Sequence, residues 1–231
     1  MSLRISIMQP GYLPWLGFFE LICNCELFVL LDDVQYTKKD WRSRNRIRTK
    51  DGWRWLSVPV STKGKRNQLI SEALINPSVD WRKNHLKTIE INYHKARFFS
   101  SYFHFFERLY LTDWKYILDL DVEIINWLTG VLNIKTPIIK SSSLNTPGHK
   151  DDKIINICKA LGATELYDSK AARGILNLAK FVDEKIGVKF QDYQHPVYKQ
   201  VYEPFIPYMS VIDLIFQHGP KSLHILLNKS C

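Results

Sequence analysis

The sequence predicts an α/β fold of the Rossmann-like kind: a mainly parallel sheet with an antiparallel hairpin extension and an inserted helical region. Short apolar runs predict strands towards both ends of the 231-residue chain, and helical patterns alternate with the later ones. Such alternation predicts parallel pairing with right-handed crossovers. We expect one domain with an α/β core from residues 1–77 and 135–231, and a helical subdomain inserted at 78–134.

The first part of the chain is rich in predicted strands. Apolar runs predict strands at Arg4–Met8 and Leu27–Leu31. Alternating polar and apolar residues then predict half-buried antiparallel strands, with Asp51-Gly52 as a hairpin turn between two of them. These later strands are Arg44–Arg48, Trp53–Val60 and Leu69–Ile75.

Helical spacing predicts three helices in the middle of the chain, and the last part returns to strand–helix alternation. The middle helices are predicted at about 79–92, 98–111 and 114–132. The later strands are predicted at 137–140, 164–167 and 188–191, and the helices at 151–161, 169–184, 210–216 and 222–227. Gly162 is expected to end the helix before it.

Composition excludes several classes of protein. A hydrophobic content of 45% is too high for a disordered chain, and no run of 18 apolar residues predicts a membrane span. The start of the chain does not have the pattern of a signal peptide, and the four cysteines are not spaced as metal ligands, so we expect a cytoplasmic protein. The net charge of +9 favours anionic partners.

Polar residues collect where predicted strands end. In an open parallel sheet, ligands bind in the crevice beyond the carboxyl ends of the strands, so we expect these residues to converge on one site. The first strand is followed by Gln9–Gly17, which holds two prolines, two glycines and two aromatic residues. The candidates at the strand ends are Gln9, Tyr12, Trp15, Asp32, Asp33, Gln35, Tyr167, Asp168, Ser169, Gln191, Asp192, Tyr193 and His195.

His195, Asp33 and Tyr12 are the predicted catalytic residues. His195 lies in a polar loop and is the best general acid or base, with His85 on the first middle helix as the second choice. Adjacent residues of a strand point to opposite faces, so Asp32 and Asp33 need not act as a pair. No metal site is predicted, although magnesium bound through substrate phosphates is left open.

Two features favour an anionic ligand, and each also has a purely structural interpretation. Ser169 at a predicted helix start, with Arg173 one turn later, suits a phosphate, but it also suits an ordinary N-cap. Residues 38–66 carry most of the positive charge, interleaved with tryptophans. This stretch suits phosphate contact and base stacking, or a solvated strand face. Its candidate ligand contacts are Arg44, Asn45 and Arg46.

The order and content of these motifs resemble the WbqC-like protein family over nearly the whole chain. The matching segments are MQPGYLPWLGFF (8–19), LDDVQY (31–36), RNRIR (44–48), WLSVPV (55–60), and residues 148–164, 190–200 and 205–219. The resemblance implies a role in bacterial gene clusters for O-antigen and other surface polysaccharides. One departure is Lys170, which stands where the family tends to have a glycine-bearing turn.

We therefore predict a transferase that modifies a nucleotide-activated amino sugar. Gln9, Tyr12 and Trp15 would shape its pocket, and Asp32 or Asp33 would hold a hydroxyl or amine. A weaker likeness to Rossmann-like nucleotidylyltransferases suggests a nucleotide binder, although their paired histidines near the first strand are absent. The alternative is a protein that binds nucleic acid, such as RNA or tRNA. The sequence does not predict the oligomeric state.

Overall fold

The computed structural model of the protein describes residues 3–65 and 67–228, which form two units. The first contains the chain up to Pro10 together with Phe18–Val34 and Ile134–Tyr193. The second contains Gly11–Gly17, Gln35–Asn133 and the chain from Gln194 onward. The predicted helical segment 78–134 thus falls almost wholly in the second unit, which also holds the hairpin.

Seven strands and eight α-helices make up the described chain. The strands are β1 (Arg4–Met8), β2 (Leu27–Leu30), β3 (Arg44–Thr49), β4 (Gly52–Ser57), β5 (Ile138–Lys140), β6 (Glu165–Asp168) and β7 (Gly187–Phe190). The helices are α1 (Leu16–Cys23), α2 (Trp81–Tyr93), α3 (Phe99–Leu111), α4 (Ile117–Val131), α5 (Asp151–Leu161), α6 (Leu178–Asp183), α7 (Val211–His218) and α8 (Ser222–Leu226).

Five parallel strands form the sheet of the first unit, in the order β5-β2-β1-β6-β7. Ile5 of β1 lies opposite Leu27 of β2 on one side and Leu166 of β6 on the other. The strand order therefore reverses direction between β1 and β6. This arrangement confirms the predicted Rossmann-like α/β fold. Its core packs apolar residues of the sheet against α5 and Phe181.

The second unit contains the predicted antiparallel hairpin. Strands β3 and β4 pair from Arg44 opposite Ser57 to Thr49 opposite Gly52. The two loop residues are Lys50 and Asp51, one position before the predicted Asp51-Gly52 turn, and Gly52 opens β4 with φ +124°, a conformation that favours glycine. Ile47 on the hairpin is fully buried.

Helices α2, α3, α4 and α7 supply most of the apolar core of the second unit. Phe106 of α3 and Phe216 of α7 are fully buried and pack with ring centroids 5.6 Å apart. Part of the aromatic cluster of α3 therefore belongs to the core. None of the helices in the described ranges combines the length and hydropathy needed to cross a membrane.

Two predicted elements are wrong. Residues 69–75 form a 3₁₀ turn at Ile70–Glu72 instead of a strand, and this stretch pairs through single bridges with residues elsewhere in the unit. The pairing of Leu74 with Tyr116 also holds Tyr116 in extended form, so α4 begins at Ile117 and not at 114.

The predicted helix at 169–184 is also divided. A 3₁₀ helix covers Lys170–Gly174, and α6 begins only at Leu178. The carbonyl of Ala172 accepts hydrogen bonds from the N–H groups of both Ile175 and Leu176, which closes the first turn before a regular helix develops. Gly174 has low helix propensity and adds to the break.

Candidate functional site

Asp168 lies at the centre of the carboxyl edge of the parallel sheet. It is the last residue of β6, beside the point where the strand order reverses. Its side chain is buried, and burial raises the pKa of this carboxyl to about 6, although hydrogen bonds from Ser169 lower it. The Ser169 N–H donates to Oδ1 at 2.6 Å. Within the described ranges, no basic side chain lies within ion-pair distance of Asp168.

Asp168 was noted at a strand end in the sequence but was given no role there. The buried Cys158 of α5 lies near it, since the thiol pKa of Cys158 is raised to about 12 by burial and, to a smaller extent, by the charge of Asp168. The sequence around Cys158 gives no signal that these two side chains lie close together. A buried carboxyl with a raised pKa at a sheet edge is typical of a functional acid or base.

Asp32 and Asp33 follow β2 and are both held by residues after β5. The Asp32 carboxylate accepts hydrogen bonds from Ser141 Oγ at 3.0 Å, from Ser142 N at 2.9 Å and from Ser142 Oγ at 2.7 Å. Asp33 Oδ1 lies 2.5 Å from Ser141 Oγ, and its Oδ2 lies 2.6 Å from the buried Lys153 Nζ. The expected opposite orientation is therefore wrong, because both residues lie beyond the end of the strand.

Glu20 of α1 connects the ends of two further strands. Its carboxylate accepts hydrogen bonds from Tyr167 Oη at 2.9 Å and from Gln191 Nε2. Burial, followed by the negative charge of Glu20, raises the pKa of the neighbouring Tyr193. Glu20 was missed in the sequence because it lies inside a helix, away from every strand end. It braces the part of the edge that carries the predicted residues Asp192 and Tyr193.

Ser169 and Arg173 do not form a helix-end anion site. The 3₁₀ helix that follows Ser169 has five residues, and the Ser169 side chain makes no capping hydrogen bond. The Arg173 guanidinium lies 5.3 Å from the ring centroid of Phe190. Gln9 is half-buried directly after β1. Both basic and polar groups are thus present at this edge, but a helix dipole does not contribute.

Tyr12 belongs to a buried chain of hydrogen bonds in the second unit. Its hydroxyl lies 2.8 Å from His85 Nδ1 and 2.5 Å from the Tyr110 hydroxyl. Burial raises the pKa of Tyr12 well above its usual value and lowers the pKa of His85 to about 3, despite a backbone hydrogen bond to Ser57. His85 is therefore neutral near pH 7. Nothing in the sequence links residues so far apart.

His195 uses both ring nitrogens on the backbone. Nδ1 donates to the Pro196 carbonyl at 2.8 Å, and Nε2 accepts from the Tyr208 N–H at 3.1 Å. The imidazole stacks on Trp15 with centroids 6.5 Å apart and 12° between the planes. Burial lowers the pKa of His195. This geometry favours a role in positioning Trp15 over direct proton transfer.

One face of the hairpin interleaves arginine and tryptophan. The Arg44 guanidinium lies 4.4 Å from the ring centroid of Trp55, and that of Arg46 lies 5.2 Å from Trp53. Trp41 packs on Trp55 at 5.4 Å, and Trp41 and Trp53 keep 41% and 44% of their surface exposed. We call these five residues the Arg–Trp face.

The other two predicted contacts near the hairpin have structural partners. Asn45 is buried, and its Nδ2 donates to the Leu13 carbonyl at 2.7 Å. Gln35 forms a single β-bridge with Leu69. Through Asn45, the hairpin holds the Tyr12 segment, in which Leu13 adopts φ +47°. Across residues 3–65 and 67–228, no group of three or more His, Cys, Asp or Glu side chains could hold a metal ion.

Comparison with known proteins agrees with this arrangement of motifs. The chain is 35% identical over 221 residues to the uncharacterized protein Rv1507c of Mycobacterium tuberculosis, covering 95% of each chain. No solved structure matches. The family model described as the WbqC-like protein family matches residues 9–225. The chain therefore belongs to the WbqC-like protein family.

Proposed function

We propose that the protein is a cytoplasmic transferase of bacterial surface-polysaccharide biosynthesis, acting on a nucleotide-activated amino sugar. The resemblance to the WbqC-like family supports the O-antigen and lipopolysaccharide context. The net charge of +9 supports an anionic substrate. The observation that carries the proposal is Asp168, a buried carboxyl beside the reversal of strand order in a parallel sheet.

Asp168 has the properties required of a general base. Its pKa of about 6 lies near the working pH, where a carboxylate both remains ionised and accepts a proton effectively. It would take a proton from the sugar amine or hydroxyl as the group is transferred. In open α/β sheets, the crevice at this position holds the nucleotide part of the ligand.

The neighbouring residues of the same edge would hold the substrate. Gln9 and Ser169 offer hydrogen bonds, and Arg173 offers a positive charge for a phosphate. If the reaction uses Mg²⁺, the ion would bind mainly through the substrate phosphates, because Asp168 has to accept the proton. The ion would then neutralise charge on the phosphates.

Asp33, Tyr12 and His195 stay predicted functional residues with positioning roles. The Asp33 carboxylate is occupied by Lys153 and Ser141. The Tyr12 hydroxyl is occupied by His85 and Tyr110. Each of these side chains would therefore fix the shape of a binding surface, and proton transfer falls to Asp168.

Thermal unfolding with UDP, dTDP, GDP and UDP-N-acetylglucosamine tests this proposal. A ligand at one hundred times its Kd stabilises a protein by about 2.7 kcal/mol, which corresponds to a rise in Tm of about 5–10 °C for a chain of this size. We expect at least one of these nucleotides to raise the Tm. Arg173→Gln removes the charge assigned to the phosphate and should reduce the rise, whereas Asp183→Asn, at the exposed end of α6, should keep it. If none of the four raises the Tm of the wild type, the proposal is wrong.

A second candidate function is binding of RNA, and the Arg–Trp face favours it. Stacking of bases on exposed aromatic side chains contributes about 1–3 kcal/mol per base, and arginines supply phosphate contacts. Trp41 and Trp53 are exposed enough to stack, and the Arg46 guanidinium lies 5.9 Å from the Trp41 ring centroid and 5.2 Å from that of Trp53.

Salt dependence of binding to a single-stranded RNA separates the two candidates. An RNA-binding protein should lose affinity steeply as salt rises, with Trp53→Ala weakening binding about tenfold. Trp114→Ala is a suitable control, because its indole Nε1 donates to the Leu109 carbonyl and it lies outside the Arg–Trp face. Absence of binding at low salt would exclude this function.

A further inference from the structure

A cavity of about 450 Å³ lies between strand β4 and helix α2 in the second unit. This volume is within the range of small-molecule sites, about 300–1,000 Å³. Its lining includes Trp55 and Ser57 from the strand, and Trp81, Asn84 and Thr88 from the helix. The functions proposed above do not use this cavity, although its lining residue Trp55 also belongs to the Arg–Trp face.

The strand side of the cavity presents backbone groups that the hairpin does not use. In a hairpin with a two-residue loop, the two residues that close the loop are hydrogen-bonded to each other. Along the strands from there, pairs without mutual hydrogen bonds alternate with hydrogen-bonded pairs. Thr49 and Gly52 close this loop, so Arg46–Trp55 is a pair without mutual hydrogen bonds. The N–H and C=O of Trp55 therefore point away from β3.

Contacts on both strands agree with this alternation. On β3, the Arg46 carbonyl points outward and accepts from the Ser210 N–H at 2.8 Å, and the Arg48 N–H donates to the Tyr93 hydroxyl at 2.9 Å. On β4, the outward carbonyl of Ser57 binds His85 of α2. The outward side of β4 is thus the side of α2, where the cavity lies.

On the helix side of the cavity, side chains held in place by hydrogen bonds offer oxygen atoms that can accept hydrogen bonds from a ligand. Asn84 Nδ2 donates to the Asp80 carbonyl at 2.9 Å. The amide oxygen Oδ1 therefore points away from Asp80 and can accept a hydrogen bond from a ligand. Thr88 Oγ1 donates to the Asn84 carbonyl at 2.5 Å, so its lone pairs remain to accept. His85 is held by Tyr12 and by Ser57, and it packs edge-on against Trp81 with centroids 5.2 Å apart.

We propose that this cavity binds a single sugar ring. Trp55 and Trp81 supply aromatic walls for the apolar face of a pyranose, as aromatic side chains do for ligands with one apolar and one polar side. The Trp55 carbonyl, Asn84 Oδ1 and Thr88 Oγ1 accept its hydroxyl protons, and the Trp55 N–H donates.

The charges around the cavity exclude other ligand classes. Among the residues that the structure describes, no carboxylate lines it, which disfavours a cation, and Arg54 is the only charged lining residue because His85 is neutral. A single exposed arginine is too little for a nucleoside triphosphate but suits one acidic substituent on a sugar. The sugar site goes beyond the proposed transferase function and does not depend on Asp168.

Saturation-transfer NMR on the full chain tests the site with methyl α-mannoside, methyl β-galactoside and N-acetylglucosamine, each at millimolar concentration. At least one probe should receive saturation from the wild-type protein. Thr88→Phe fills the cavity and should abolish the transfer. Lys87→Phe is the matched control, because Lys87 is exposed one residue away on the same helix and does not line the cavity.

Asn84→Ala provides a second variant that leaves the cavity open. Loss of one hydrogen bond should weaken the Kd of the probe about three- to tenfold. Circular dichroism of each variant checks that it is folded. The proposal is overturned if no probe receives saturation from the wild type, or if Thr88→Phe transfers as well as Lys87→Phe. Nucleotide-dependent Tm shifts report separately on the sheet edge, so the two proposals can fail independently.

Discussion

Replacing Asp168 with asparagine should make the protein more stable at neutral pH. The folded chain raises the pKa of this carboxyl from its ordinary value of 3.8 to about 6, mainly by burial. A difference of about two pH units corresponds to about 3 kcal/mol. At pH 7.5 the folded protein bears this cost of a buried charge, whereas asparagine bears none and can keep the acceptor for the Ser169 N–H. We expect a gain of about 1–3 kcal/mol.

The sign of the pH dependence follows from the same shift. The folded chain binds the Asp168 proton more tightly than the unfolded chain does, so this residue makes the free energy of unfolding fall as pH rises from about 4 to about 6. Below that window the carboxyl is protonated in both states and the cost disappears. The stability difference between Asp168→Asn and the wild type should therefore grow across the window and stay constant above it.

Thermal unfolding at pH 4.5 and pH 7.5 measures the effect. At pH 7.5 the variant should melt about 2–12 °C above the wild type, and at pH 4.5, near the lower end of the window, the difference should fall to about a third of that. Asp183→Asn, an exposed residue, should show no such pH-dependent gain. A variant that is less stable than the wild type at pH 7.5, or equally shifted at both pH values, would refute the reasoning.

Three further substitutions test individual contacts. Tyr93→Phe removes a hydrogen bond of 3.1 Å to Asp213 and the acceptor of the Arg48 backbone N–H. Urea denaturation should therefore show that the free energy of unfolding falls by about 2–4 kcal/mol, and a fall below about 0.5 kcal/mol would contradict this. Lys153→Met leaves Asp33 unpaired and should cost about 2–4 kcal/mol by the same measurement, with Asp33→Asn in the same chain restoring part of it. His195→Ala should lower the Tm by a few degrees and change tryptophan fluorescence, because it removes the stack on Trp15. An unchanged spectrum would argue against its positioning role.

The sheet was predictable because each strand has a local signal. β1 is an apolar run that ends at a proline-containing turn, and the hairpin alternates around a residue with positive φ, Gly52. Residues 69–75 have a similar strand-like pattern, yet they contain a 3₁₀ turn at Ile70–Glu72 and pair only through single bridges. One of these bridges is to Tyr116, which lies in a distant part of the sequence. Local propensity gave no information on that pairing.

The candidate site was predictable only where it follows the strand ends. Asp33 and Ser169 do lie there, but Lys153, which pairs with Asp33, comes from a helix 120 residues later. The raised pKa of Asp168 likewise depends on burial, which a sequence does not display. His195 had the residue type of a general base, and only the structure revealed that both its nitrogens are occupied.

The division of the chain into two units, each drawn from three separate stretches, affects how the protein can be made. β1 forms its sheet with β6, and Arg4 pairs with Glu165, 161 residues later. On the ribosome, the first strand can pair early with β2, but most of the chain must be made before its second partner, β6, is synthesised. Such long-range pairing slows folding and leaves apolar strands exposed in the meantime. No single cut in the chain would release either unit whole, so studies of one unit alone require rejoined segments rather than truncation.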